Sequence, residues 1–291
     1  MIPMNTTNWL DTTEYPFRHN FFLTPFGNIH YVDEGKGKPV IFIHGNPSWS
    51  FQFRNVIKGL TGTSRCIALD HLGFGLSDKP IDWSYLPEEH AGNLELFLES
   101  LDLQDMTLVV GDWGGPIGLS YAMHHPGRVR NIVITNTWLW PVRDDWYYQV
   151  FSRFMGGVIG RWLIYRYNFF ATTVMRSMFG TKSRLTPEIH QHYLAPLARP
   201  EERKGCWVLP GQIIGSSDWL QSLWEQRNVL QDKNILIAWG MRDIAFRKKE
   251  LATWIMAFPR ARVLRYEDTG HFVAEEKPTE LVTEIRNLLD G

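Results

Sequence analysis

The chain has 291 residues, of which 44% are hydrophobic and 21% charged, with a formal net charge of -1. Such a composition suits a globular protein with a sizeable core, in one large α/β domain or two smaller ones, and shows neither a basic excess for nucleic acid nor an acidic tail. Only two cysteines occur, Cys66 and Cys206, far apart and without CxxC spacing, so there is no disulfide framework and no thiolate metal site, as in a reducing compartment. The opening MIPMNTTNWLDTTEYP lacks the basic-then-apolar pattern of a leader, and FMGGVIGRWLIY is short for a membrane span and interrupted by Arg161. A soluble, cytoplasmic protein with no nucleic-acid or membrane partner is expected.

In chain order, FFLTPFGNIHYVDEG alternates on both sides of Pro25-Phe26-Gly27-Asn28 and predicts a hairpin. PVIFIHG is a continuous apolar run ending in glycine, the pattern of a buried parallel strand. A helix over 49–60, a strand at RCIALD and a loop at HLGFGLSDKP follow. A helix then runs from Glu88 to Leu101, with the strand MTLVV, a helix after Asp112 and the strand NIVIT behind it. From 139 the strand–helix alternation stops, and much of the aromatic content, including WLWPVRDDWYYQVFSRF and RWLIYRYNFF, falls at helical spacing. Alternation resumes with a helix over 217–230, the strand NILIAWG, a helix over 247–257, the strand RVLRYE and a last helix from Thr279 to Leu289. The pattern predicts a mostly parallel, eight-stranded α/β sheet with helices on both faces. It divides into core 1–138, an inserted helical cap 139–212, and core 213–291.

In such a sheet the functional residues follow the carboxyl ends of strands. Those loops read His44-Gly45-Asn46-Pro47, Gly111-Asp112-Trp113-Gly114-Gly115, Met241-Arg242-Asp243 and Asp268-Thr269-Gly270-His271. Asp112 thus stands at a strand–turn–helix elbow, with an acid and a histidine downstream in the order nucleophile, acid, histidine. Gly114 and Gly115 supply the small neighbours that elbow needs, whereas Val110 stands where the general pattern prefers a small residue. Asp112 also has a plainer reading, as the N-cap of the next helix. As a nucleophile it is ionised at neutral pH, and it can displace a leaving group at saturated carbon to give an ester. His271 would then activate water against that ester, and Asp243 would orient and stabilise the imidazolium. The backbone amides of Asn46 and Trp113 are the expected oxyanion donors. The Trp113 indole N–H and the Asn46 side-chain amide are donors suited to a departing halide. No metal or organic cofactor is required.

HGNPSWSFQFR, DHLGFGLSDKP, VGDWGGPIG, WGMRD and DTGHFVAEEKP together resemble the haloalkane dehalogenases of the α/β-hydrolase fold. The resemblance covers nearly the whole chain. It implies Asp112 as nucleophile, His271 as base, Asp243 as acid, Asn46 and Trp113 as the halide pair, and a small apolar halogenated substrate. An acid after the seventh strand with an Asn–Trp pair resembles the third subfamily. In another subfamily a cap tryptophan replaces the asparagine, and Trp146 and Trp162 are the stand-ins to consider.

Plainer readings stand beside these. Asn46 is also a common turn residue before proline, Trp113 a packing residue, and Asp243 a loop acid beside Arg242. GFGLS lacks the third glycine of a dinucleotide loop, and His190 with His192 reads as surface histidines rather than a metal site. The competing activities are an epoxide hydrolase, for which Tyr147, Tyr148, Tyr165, Tyr167 and Tyr193 are the candidate phenols, and a cofactor-independent luciferase-like oxygenase. A ligand receptor on the same scaffold is a further competitor. FMGGVIG either pairs subunits in a homo-oligomer or packs on the core.

Overall fold

A computed structural model describes residues 9–291, so the opening stretch in which no leader was read lies partly outside the described residues. The hairpin is β1 (Asn20–Thr24) and β2 (Gly27–Glu34), antiparallel about a tight turn with Thr24 opposite Gly27. β3 (Lys38–Ile43) leads to a 3-10 turn at Ser50–Phe53 and then α1 (Arg54–Leu60), two pieces where the sequence predicts one helix. β4 (Ser64–Leu69), α2 (Pro87–Leu101), β5 (Met106–Val110), α3 (Gly114–His124) and β6 (Val129–Thr135) follow.

Between β6 and the next strand the described residues are helical or irregular. They hold α4 (Trp146–Gly156), α5 (Val158–Tyr167), a π-turn at Phe170–Val174, α6 (Met175–Ser177), α7 (Pro187–Leu194), α8 (Lys204–Gly215) and α9 (Ser217–Gln226). The chain closes with β7 (Asn234–Gly240), α10 (Lys248–Ala257), β8 (Arg262–Tyr266), α11 (Val273–Glu276) and α12 (Pro278–Asp290).

The eight strands form one sheet in the order β1-β2-β4-β3-β5-β6-β7-β8, with β2 antiparallel to both neighbours and all later pairs parallel. The central strands are mostly apolar and buried because both faces are covered. Ile41, Ile43, Leu108, Val110, Ile132 and Ile134 pack on one side, against residues of α2, α3 and the cap. Val40, Phe42, Val109 and Val133 pack on the other, against α1 and α12. The chain leaves β3 towards β4 and returns on the opposite side as β5, which opens a crevice at the carboxyl ends of β3 and β5.

Two glycines bring backbones together at that crevice. A Cβ on Gly114 would overlap the carbonyl oxygen of Ile43, and one on Gly45 would overlap the Asp112 carboxylate. Gly114→Ala is therefore expected to lower unfolding free energy in urea by about 1–3 kcal/mol. Gly92, exposed within α2 and with nothing near its missing Cβ, serves as the contrast: Gly92→Ala should raise stability by about 0.5–1 kcal/mol.

Candidate active site

Asp112 follows the end of β5 with φ at +50°, a left-handed conformation that aspartate tolerates better than most side chains. Its N–H donates to the Asn136 carbonyl at 2.9 Å. Its carbonyl accepts from Gly115 N at 3.0 Å and from the Thr137 hydroxyl at 2.5 Å. The helix that follows, α3, has Trp113 as its N-cap and no side-chain capping bond. Instead Asp112 Oδ1 accepts the Asn46 N–H at 2.7 Å. The plain N-cap reading of Asp112 is not what the geometry holds.

Two further loops converge on this carboxylate. His271 Nδ1 donates to Asp243 Oδ2 at 2.9 Å, and His271 Nε2 lies 3.6 Å from Asp112 Oδ2. Asp243 is buried and also accepts from Asn136 Nδ2 at 2.9 Å and Ala245 N at 2.7 Å. The histidine loop is held from behind by buried Glu276, whose carboxylate accepts the N–H groups of Gly270 (2.8 Å), Gly180 (3.1 Å) and Thr181 (2.7 Å). His271 N itself donates to the Met178 carbonyl at 2.9 Å, so the segment after α6 braces the histidine directly.

Burial raises the Asp112 pKa above its ordinary value, against the pull of the His271 charge and the Trp113 and Asn46 amides. For His271, burial alone would favour the neutral ring. The Asp243 carboxylate overrides it and, with Asp112 and Glu276, holds the imidazole above its usual 6.5.

Asp112 opens on two cavities. The larger, about 230 Å³, lies beneath the cap and is bounded by Asn46, Trp113, Trp138, Tyr148, Phe151 and Phe246 among others. The smaller, about 20 Å³, lies on the side of Ser48, Gln52, Thr135, His271 and Glu275. His271 borders the smaller and not the larger. Asn46 and Trp113 thus sit at the apolar mouth of the carboxylate, with Asn46 Nδ2 3.4 Å from the Cys206 carbonyl.

Other sequence candidates lie elsewhere or are occupied. Trp146 and Trp162 are exposed and do not line the cavity. Tyr147 and Tyr148 do line it, but their hydroxyls donate to the carbonyls of Ile244 and Ala245, and burial raises both phenol pKa values. Tyr165 and Tyr167 are exposed, and Tyr193 donates to Glu275. His190 and His192 are buried rather than on the surface as expected: His192 bonds Asp11 N and the Glu188 carbonyl, and His190 the Ala171 carbonyl.

Sequence reasoning passed over Asn136, Glu276, Gln52 and Trp138. NTWLWP places Asn136 at the end of β6, a position that could have flagged it. Its side chain clamps the Gly240 backbone, accepting at 2.7 Å and donating at 3.0 Å.

Residues 38–278 match the alpha/beta hydrolase fold family. The chain is 37% identical to haloalkane dehalogenase 2 of Mycobacterium tuberculosis H37Rv, over 94% of this chain and 96% of that one. It is 34% identical to a cis-3-alkyl-4-alkyloxetan-2-one decarboxylase of Shewanella oneidensis MR-1, over 96% of this chain and 90% of that one. A crystal structure of a haloalkane dehalogenase from Agrobacterium tumefaciens C58 superposes with a TM-score of 0.84 at 25% identity, covering 94% of this chain and 96% of that one.

An imidazole raised by Asp243, Asp112 and Glu276 should titrate above pH 6.5 by NMR. Asp243→Asn removes the strongest of those three charges, and the His271 midpoint should fall below the wild-type value. An unchanged midpoint would contradict the ion pair.

Proposed function

The chain belongs to the α/β-hydrolase fold family, among the haloalkane dehalogenases, and on that premise we propose that it converts haloalkanes to an alcohol, a halide ion and a proton through an ester on Asp112. The observation that carries this reading is a carboxylate, held at the elbow by the Asn46 amide, facing an apolar cavity. A carboxylate oxygen attacks the carbon bearing the halogen, the carbon–halogen bond breaks, and the electron pair leaves with the halide. The Trp113 indole and the Asn46 amide supply donors for that anion. Neither donor is an acid, and the two cavity tyrosines are engaged with carbonyls, which favours a halide over an alkoxide as leaving group.

Hydrolysis follows on the other side of the carboxylate. A cavity of about 20 Å³ matches the room one water needs, and Gln52, Ser48, Thr135 and Glu275 give it a polar wall. His271 takes a proton from a water there, and the oxygen attacks Cγ of the ester. The oxyanion gathers on the oxygen already bonded by Asn46 N, with the Trp113 amide beside it. Asp243 stabilises the imidazolium, which returns its proton to the departing alkoxide as the alcohol forms. The new carboxylic acid then releases the proton of the overall stoichiometry. Once the ester forms, Asp112 has lost its charge, so the imidazole is a weaker base in the intermediate than in the free enzyme.

A second reading, decarboxylation of an oxetan-2-one, is favoured by the Shewanella relative. The products separate the two: halide and alcohol in one case, carbon dioxide in the other.

Wild-type protein with a panel of bromoalkanes should release bromide, and Asp112→Asn should release none. Carbon dioxide from a dialkyl oxetanone without bromide from any bromoalkane would move the second reading to the front. Trp113→Phe removes one halide donor, and kcat/KM should fall by about 10²-fold or more. Gln52→Leu should leave the first-turnover burst of bromide intact while slowing later turnovers up to about tenfold, the weight of one hydrogen bond. Loss of the burst itself would contradict the division of labour between the two cavities.

A further inference from the structure

The outer face of the cap has no counterpart in this chemistry. Along α4 and α5 the residues Trp146, Val150, Phe154, Val158 and Trp162 recur every fourth position, and all are exposed, Val158 to 86% and Trp146 to 72%. Ile159 lies beside them at 62%. Exposed apolar side chains gathered on two adjoining helices mark an interaction site. The helices are anchored from behind. Phe151 lines the large cavity, Met155 is buried, and Gly156 approaches Gly211 so closely that a Cβ there would sit 2.5 Å from the Gly211 Cα. The apolar ridge is therefore the outer side of a packed helix pair.

Charge on this face is one-sided. Arg153, Arg161 and Arg166 are exposed on the same two helices, and no aspartate or glutamate occurs anywhere from 146 to 187. Among the described residues none of the three arginines pairs with a carboxylate; Arg161 instead lies over the Trp207 ring at 4.8 Å. A second copy docking by the same face would set arginine against arginine with no acid between them. Exposed tryptophan and aliphatic side chains among unpaired arginines fit the boundary of a bilayer that carries negative headgroups. No helix among the described residues is long and apolar enough to cross a membrane, so contact would be parallel to the surface.

We propose that α4 and α5 form a docking face for anionic lipid bilayers, which brings the cap over the cavity to the surface where apolar compounds concentrate. α4 is the partition: Phe151 faces the cavity while Val150 and Phe154 face outward. The inference is independent of which bond the enzyme breaks.

The test is flotation of the full-length protein with phosphatidylcholine vesicles, with and without phosphatidylglycerol, combined with quenching of tryptophan emission by spin-labelled lipid. Binding and quenching should require phosphatidylglycerol and weaken as salt is raised. Arg161→Glu with Arg166→Glu should weaken binding by about tenfold or more. Val158→Glu should abolish quenching while the circular dichroism spectrum and thermal midpoint stay those of the wild type. Equal binding to both vesicle types would overturn the charge-directed account. Absence of binding would overturn the proposal outright, and a dimer that Val158→Glu splits into monomers would assign the face to a second copy instead.

Discussion

The structure turns on one backbone residue, Asp112 at φ +50°. A strand that ends in a left-handed aspartate and restarts as a helix needs its neighbours close, and the chain meets that need with Gly45 and Gly114. The same closeness brings the Asn46 N–H to 2.7 Å from the carboxylate, so the donor that holds the resting side chain is also aligned with the oxygen that would carry charge later. Asn136 ties the arrangement to the sheet. Its carbonyl accepts from Asp112 N, and its side chain grips Gly240 and the Asp243 carboxylate. The positions of Asp112 and Asp243 are thereby tied to one residue just after β6.

Electrostatics divides the work around that point. Burial makes charge on Asp112 less favourable, while the carboxylates around His271 make charge on the imidazole more favourable. Each group's charge favours the other's, and formation of the proposed ester would remove one half of that pair. His271 is turned to the small polar cavity and Asn46 and Trp113 to the large apolar one, so displacement and hydrolysis would approach the same carboxylate from different sides. The cap contributes to both. Its rings wall the large cavity, and Met178, Gly180 and Thr181 brace the histidine loop through their backbone groups.

Much of this was legible in the sequence because period and punctuation carry it. The apolar runs PVIFI, TLVV, NIVIT and NILIAWG became buried strands, and the residues after them met at one edge of the sheet. Residues whose part depends on distant neighbours were not legible. Asn136 acts on Gly240 and Asp243, more than a hundred positions away, and Glu276 acts on Gly180 and Thr181. Gln52 belongs to a helix-forming run, and lines the small cavity opposite residues of α11 that are more than two hundred positions away. The aromatic cap was readable as helical, yet composition could not separate Phe151, which lines the cavity, from Phe154 three positions on, which faces out.

The covalent ester is the central claim, and one measurement tests it directly. If Asp112 is the nucleophile and His271 the base, His271→Phe would leave halide displacement possible and remove the group that releases the ester. After incubation with a bromoalkane, intact-mass spectrometry should find one alkyl group added per chain, and peptide mapping should assign it to Asp112. An unmodified chain from a variant that has released one equivalent of bromide, or an alkyl group on any other residue, would contradict the account.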